Sequence, residues 1–121
     1  MKKCTTVAGS LRHITNVSHM NLARVERFFL DVPFRDEVAP WCTLLVRNWR
    51  LREVVKVTTD TGVVGWGEWA TRYTWQPVTD ASVAASIGRS LFDRWHDDGI
   101  GAGLQMAVGD ALGKSLGVPL W

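Results

Sequence analysis

The run Val54-Val-Lys-Val-Thr-Thr-Asp-Thr-Gly-Val-Val-Gly-Trp-Gly-Glu-Trp69 narrows the possible folds more than any other stretch of the chain. Two arms rich in Val, Thr and Trp flank Asp60-Thr61-Gly62, a polar turn start followed by a residue that takes φ > 0 without a steric cost. The pattern predicts an antiparallel hairpin. In its first arm Val55, Val57 and Thr59 share one face and Val54, Lys56 and Thr58 the other, so one side is suited to burial and one to water. In its second arm Gly65 and Gly67 leave a face bare beside Trp66. Glycine weakens a strand and marks a bulge or the close approach of another backbone, so this face is expected to receive a packing partner.

The rest of the chain arranges itself around that hairpin. Residues 22–32 alternate at Ala23, Val25 and Arg27 and then switch phase to Phe28, Leu30 and Val32, which predicts a first strand with a bulge near Arg27-Phe28, ended by Pro33. Residues 34–50 form a long connection, and its aromatic and aliphatic content argues against disorder. Trp41, Arg47, Asn48, Trp49 and Arg50 in it suit a pocket, a polyanion or simple packing of the loop. A second aromatic loop, from Trp69 to Pro77, adds Arg72, Tyr73 and Trp75, one positive charge and flat amphipathic surfaces that fit a carboxylate ligand or cover a sheet edge. Thr79 or Asp80 caps a short helix that stops at Gly88, and Ser90 caps another turn of helix through Trp95. A final helix from Leu104 to Leu116 carries a wide apolar face, with Gly109 and Gly113 predicting close packing. Gly117-Val118-Pro119 closes it. Strand, hairpin and helices in this order make an α+β fold.

Size and charge exclude several classes. At 121 residues the chain is one domain and too short for an α/β barrel of ~250 residues. Of the 14 Lys and Arg, three (Lys2, Lys3 and Arg12) precede Met20, leaving 11 against the 12 Asp and Glu of the remainder. The net charge of +2 therefore belongs to residues 1–19, expected to be a disordered extension with Met20 as an alternative start, and the folded part lacks a basic field for phosphates. Nucleic acid is not an expected partner. Cys4 and Cys42 are too few for a disulfide framework and point to a reducing, cytoplasmic compartment. The apolar stretch after Lys3 is too short and polar for a secretory signal, and no run approaches the ~20 residues of a membrane span. His13 and His19 lack an acidic or Cys neighbour. His96-Asp97-Asp98 would diverge on a helix, with Asp98 better explained as a cap for the final helix, so no metal site is assigned. Seven Trp are hard to bury in so small a domain and favour a partner surface.

Three segments, Phe29-Leu-Asp-Val-Pro-Phe34, Thr59-Asp-Thr-Gly-Val-Val-Gly-Trp-Gly-Glu68 and Met106-Ala-Val-Gly-Asp-Ala-Leu-Gly-Lys-Ser-Leu-Gly-Val-Pro-Leu120, together resemble the amino-terminal capping domain of the mandelate racemase and muconate lactonizing group of the enolase superfamily. The resemblance covers residues 20–121, and the last segment is its most specific part. One departure is Gly109, where the family more often carries a bulky aromatic. The resemblance implies a three-stranded antiparallel meander followed by a small helical bundle. It also implies that the loops at 34–50 and 69–77 close over a catalytic barrel that this chain lacks and select a small carboxylate substrate there. Family chemistry abstracts a proton α to a carboxylate (racemase, cycloisomerase or sugar-acid dehydratase), with Mg²⁺ held by acidic barrel residues. None of the catalytic residues or metal ligands falls in this chain, which binds no cofactor on this reading and is expected to be inactive alone. Its partner is the missing barrel, and its uncovered apolar surface predicts a marginal, association-prone protein that forms homo-oligomers. The competing class is a free-standing binding or protein-interaction module using the Trp and Arg loops. Binding of nucleic acid through Arg47, Trp49, Arg50 and Arg52 would instead show strongly salt-dependent affinity.

Overall fold

The computed structural model describes residues 20–45, 47–71 and 76–119. The extension expected at 1–19 lies outside them. Strands β1 (Leu22–Asp31), β2 (Leu51–Thr59) and β3 (Val64–Ala70) form an antiparallel sheet in the order β1-β2-β3. Helices α1 (Ala39–Leu45), α2 (Asp80–Ser86), α3 (Leu91–Trp95) and α4 (Ala102–Leu116) complete the fold, with 3-10 turns at Arg47–Arg50 and Asp98–Ile100. Among the described residues the fold is thus α+β, a meander followed by helices, with no barrel.

The hairpin forms as its sequence predicts. Gly62 sits at φ +85 and donates its N–H to Thr59 O, and Val63 N donates to Thr59 Oγ1. Asp60 also ties the hairpin tip to the start of β1, accepting from both the backbone N and Nδ2 of Asn21. Along β2, residues Glu53, Val55, Val57 and Thr59 are buried while their neighbours are half-exposed, the period-2 pattern of a sheet covered on one side.

What covers that side is α4. It lies across β2 and β3, and Leu104, Ala107, Val108 and Ala111 join Leu22, Val55, Val57 and Leu91 in the core. The bare face of β3 is where the two backbones come closest. A Cβ added at Gly65 would fall 2.6 Å from Ala111 N and closer still to Ala107 O; one added at Gly67 would fall 2.6 Å from Ala107 N and closer still to Gly103 O. Gly103, Ala107 and Ala111 recur every four residues, so they stack on one helix face and present it as a shallow groove to the glycines of β3. This stripe makes the contact with the glycines of β3. Gly109 faces α3 instead, where Trp95 lies against it so closely that an added Cβ would overlap the indole.

Four expectations need correction. The pairing of β1 with β2 runs unbroken from Arg24 to Asp31, and the single irregularity lies between Leu22 and Arg24, not at Arg27-Phe28. The change of hydrophobic phase at Phe28 is real but does not mark a bulge: Phe28 and Leu30 keep their places on the outer face, where no helix among the described residues covers them. The connection 34–50 is not an irregular loop, because Arg35 O caps a turn that runs into α1 and the 3-10 turn comes directly after it. Asp97, not Asp98, caps the 3-10 turn before α4, through Gly99 N; Asp98 accepts from Gln105 Nε2 instead. The final helix also starts earlier than expected, at Ala102. Thr79 and Ser90 do cap α2 and α3, Thr79 through a capping box with Ser82, and Gly88 and Gly117 close helices in the left-handed region.

Candidate functional site

Register places both long segments at one end of the sheet. Asp31 lies opposite Leu51 and Arg52 opposite Ala70, so residues 32–50 leave and re-enter beside the point where the chain leaves β3. The neck of the first segment is clamped twice. Val32 N donates to Arg50 O at 2.9 Å, and Arg50 grips Asp31 with Nε and Nη2 at 2.9 and 3.1 Å, the bidentate geometry that suits guanidinium to carboxylate. Thr71 fastens the second segment, its N and Oγ1 both donating to Leu51 O.

Beneath these necks lies a buried polar knot. Glu53, 1% exposed, accepts from Arg27 Nε on one oxygen and from Trp69 Nε1 on the other. Arg27 spends its remaining nitrogens on Val78 O at 2.7 Å and Asp80 Oδ1 at 2.8 Å, and its guanidinium stands over the ring of Phe29. One arginine therefore joins β1, β2 and the segment returning into α2. Arg27, Phe29, Glu53, Trp69 and Val78 line a cleft of about 350 Å³ with Thr71 and Pro77. Each carboxylate oxygen of Glu53 already has a donor, and all three nitrogens of Arg27 are engaged. The knot fixes where the loops emerge; it offers no free acid, base or nucleophile.

The residues singled out from sequence sort unevenly. Trp41 stands on α1 with 71% of its surface exposed, and Leu44 beside it is exposed as well. Arg47, Asn48, Trp49 and Arg50 form the 3-10 turn, in which Trp49 is half-buried and Arg50 is occupied by Asp31. Trp69 belongs to β3 rather than to the loop and is only 7% exposed, because its indole packs inward over Gly103 and bonds Glu53. Arg72, Tyr73 and Trp75 lie outside the described residues. Arg52 is paired with Glu68 and Arg50 with Asp31, so neither presents an unopposed charge. Sequence reasoning missed Arg27 and Glu53, although the signal exists: both carry charge on the phase of their strands that faces the helices.

A second polar arrangement explains the Asp-Ala-Leu-Gly-Lys run. Asp110 on α4 accepts from Trp66 N at 2.9 Å and from Lys114 Nζ at 2.6 Å, and Lys114 Nζ also donates to Val64 O. Residues four apart on the helix thus satisfy two outward backbone groups of β3, which has no strand beyond it among the described residues. Replacing Asp110 by Ala is expected to cost about 1–2 kcal/mol, since it strips Trp66 N–H of its acceptor. Faster hydrogen exchange at the Trp66 amide, with Gly67 unchanged, is the measurement that checks it.

Among the described residues no group of three or more His, Cys, Asp and Glu is arranged to hold a metal ion, and no helix is long and apolar enough to cross a membrane. No protein-family model matches the sequence, and neither does any curated protein. Among solved structures, the chain is similar to a mandelate racemase/muconate lactonizing enzyme from Sulfitobacter sp, with 25% identity over 80% of this chain and a TM-score of 0.46. It is also similar to a protein provisionally assigned to the same group from Labrenzia alexandrii, with 20% identity over 79% of this chain and a TM-score of 0.47. The chain spans 28% of the length of each.

Proposed function

We propose that this chain is the amino-terminal capping domain of an enzyme of the mandelate racemase and muconate lactonizing group, comprising residues 20–121 behind an extension at 1–19. The observation that carries the reading is the emergence of 32–50 and 71–78 from one end of the sheet, with their necks clamped by Arg50, Thr71 and the Arg27–Glu53–Trp69 knot. Two of the three segments that carry the sequence resemblance also meet directly, through Trp66 N and Asp110. A cap needs rigid bases and adaptable tips, because specificity rests on positioning the tips over a site built elsewhere. Trp41, Trp49, Arg72, Tyr73 and Trp75 are the residues proposed to face a small carboxylate substrate in the full-length enzyme, with Arg47, Asn48 and Arg50 shaping the first loop.

On this reading proton abstraction belongs to the barrel. There Mg²⁺ would stabilise the enediolate formed from the substrate carboxylate, and this chain's own residues would exclude water and orient the substrate. A cytoplasmic enzyme suits the sparse cysteines. Two measurements test the proposal. The coding sequence beyond Trp121 should continue into strand–helix repeats carrying a Lys-x-Lys pair and spaced Asp and Glu. The purified 121-residue chain with Mg²⁺ should exchange no α-proton of a 2-hydroxy carboxylate for deuterium above background; exchange at an enzymatic rate sinks the reading. A stop codon after Trp121, with a stable monomer, would favour the interaction module instead.

A further inference from the structure

We propose that residues 27–31 of β1 pair antiparallel with the same residues of a second copy of this chain, with Phe29 on the two-fold axis, joining the two sheets edge to edge. Hydrogen bonding alternates along an antiparallel strand. Val32 N donates to Arg50 O across to β2, so Leu30, Phe28, Glu26 and Arg24 direct their backbone groups toward β2. The N–H and C=O of Val25, Arg27, Phe29 and Asp31 point away from the sheet, with no partner among the described residues. The start of the strand is closed, since Leu22 N donates to Arg89 O and Leu22 O accepts from Gly88 N. At the opposite edge of the sheet Asp110 accepts from Trp66 N and Lys114 donates to Val64 O. The open stretch also carries three consecutive exposed apolar side chains, Phe29 at 65%, Leu30 at 47% and Phe28 at 42%. An exposed apolar edge of this kind recruits another strand.

Self-complementarity selects a second copy as that strand. With Phe29 on the axis, Arg27 lies opposite Asp31 of the other copy on the helix-facing side, and Phe28 lies opposite Leu30 on the outer side. The pairs on the axis and on the outer side are then apolar with apolar, a combination that stabilises an antiparallel ladder, while Arg27 and Asp31, already bonded to Glu53 and Arg50 in their own copies, meet without like charges. Moving the axis to Phe28 sets Glu26 against Leu30 and Val25 against Asp31. Moving it to Arg27 sets Arg27 against Arg27 and Glu26 against Phe28. Pro33 lacks an N–H and ends the ladder, which is left with about six main-chain hydrogen bonds. An interface below ~1,200 Å² belongs to the weak, reversible class.

Sedimentation of the 121-residue chain from about 5 μM to about 1 mM should therefore trace a saturating monomer–dimer equilibrium. Over the same range the amides of Arg27, Phe29 and Asp31 should gain protection from hydrogen exchange, while those of Glu26, Phe28 and Leu30 stay unchanged. Phe29→Lys places like charges on the axis and should weaken dimerisation at least tenfold, in a dilute monomer that stays folded although it loses the contact between Phe29 and the Arg27 guanidinium. Phe29→Pro removes the outward N–H together with the ring under Arg27 and should likewise weaken dimerisation at least tenfold while the dilute monomer stays folded. Four results would overturn the proposal: a monomer throughout; a dimer that survives both substitutions; open-ended association, which would mean contact through the outer sheet face; or edge amides already protected in the dilute monomer, which would mean that residues 1–19 cover them.

Discussion

Gly67→Ala is expected to lose more than about 3 kcal/mol of stability, enough to leave much of a marginally stable domain unfolded at 37 °C. The substitution is the smallest available, yet the new methyl would enter the space between β3 and α4, on top of Gly103 O and 2.6 Å from Ala107 N. Neither neighbour is a side chain that can swing aside. Relief requires α4 to move off the sheet, and α4 supplies the buried Leu104, Ala107, Val108 and Ala111 that cover β2. Gly65→Ala should behave alike for the same reason. Gly109→Ala is the informative contrast. Its methyl would meet the partly buried indole of Trp95, a side chain rather than backbone, so the cost should be smaller, and alanine recovers about 1 kcal/mol of helix propensity. Urea unfolding of the three variants checks the ranking; a Gly67→Ala chain as stable as the Gly109→Ala chain would mean that the helix rests farther from the sheet than described.

Glu53→Ala should cost about 3–5 kcal/mol, the loss typical of removing one member of a buried ion pair. The penalty lies in what remains behind. Arg27, three-quarters enclosed, would keep a charge with its Nε unsatisfied, and Trp69 Nε1 would be buried without an acceptor. Glu53→Gln retains an oxygen for the indole but turns an amide dipole toward a cation, so it should fall between the wild type and Glu53→Ala. Because Arg27 also holds Val78 O and Asp80, the damage should spread: the segment entering α2 and the start of β2 should exchange amide hydrogens faster than α4 does. Urea denaturation monitored by Trp fluorescence, together with residue-resolved exchange, separates this outcome from uniform destabilisation. If the chain is a cap, the same variant in a full-length enzyme should raise KM more than it lowers kcat, since the loops lose their footing while the chemistry lies elsewhere.

How much of the fold and its loop end was legible in the residues depends on the range of the interaction involved. Local chemistry was readable: Asp60-Thr61-Gly62 makes the hairpin turn, Thr79 and Ser90 cap their helices, and the alternation from Glu53 to Thr59 orients β2. Each of these depends on near neighbours in the chain. The glycines of β3 announced a close approach but not its partner, because the matching stripe of Gly103, Ala107 and Ala111 lies on a helix far along the chain, and only packing selects it over Gly109. The phase change at Phe28 was visible and misleading, since periodicity records which residues are apolar and not which face is covered.

At the loop end the same division holds. The sequence alone determined that two aromatic, arginine-bearing segments flank the hairpin, and alternation is enough to bring strands of this length into one sheet. Only tertiary structure decided that Trp69 turns inward, that Arg50 and Arg52 are spent on Asp31 and Glu68, and that Arg27 and Glu53 bind the loop bases together. The physical reason is that a charged or aromatic side chain takes its role from whichever group satisfies it once water is gone, and that group is chosen by the fold.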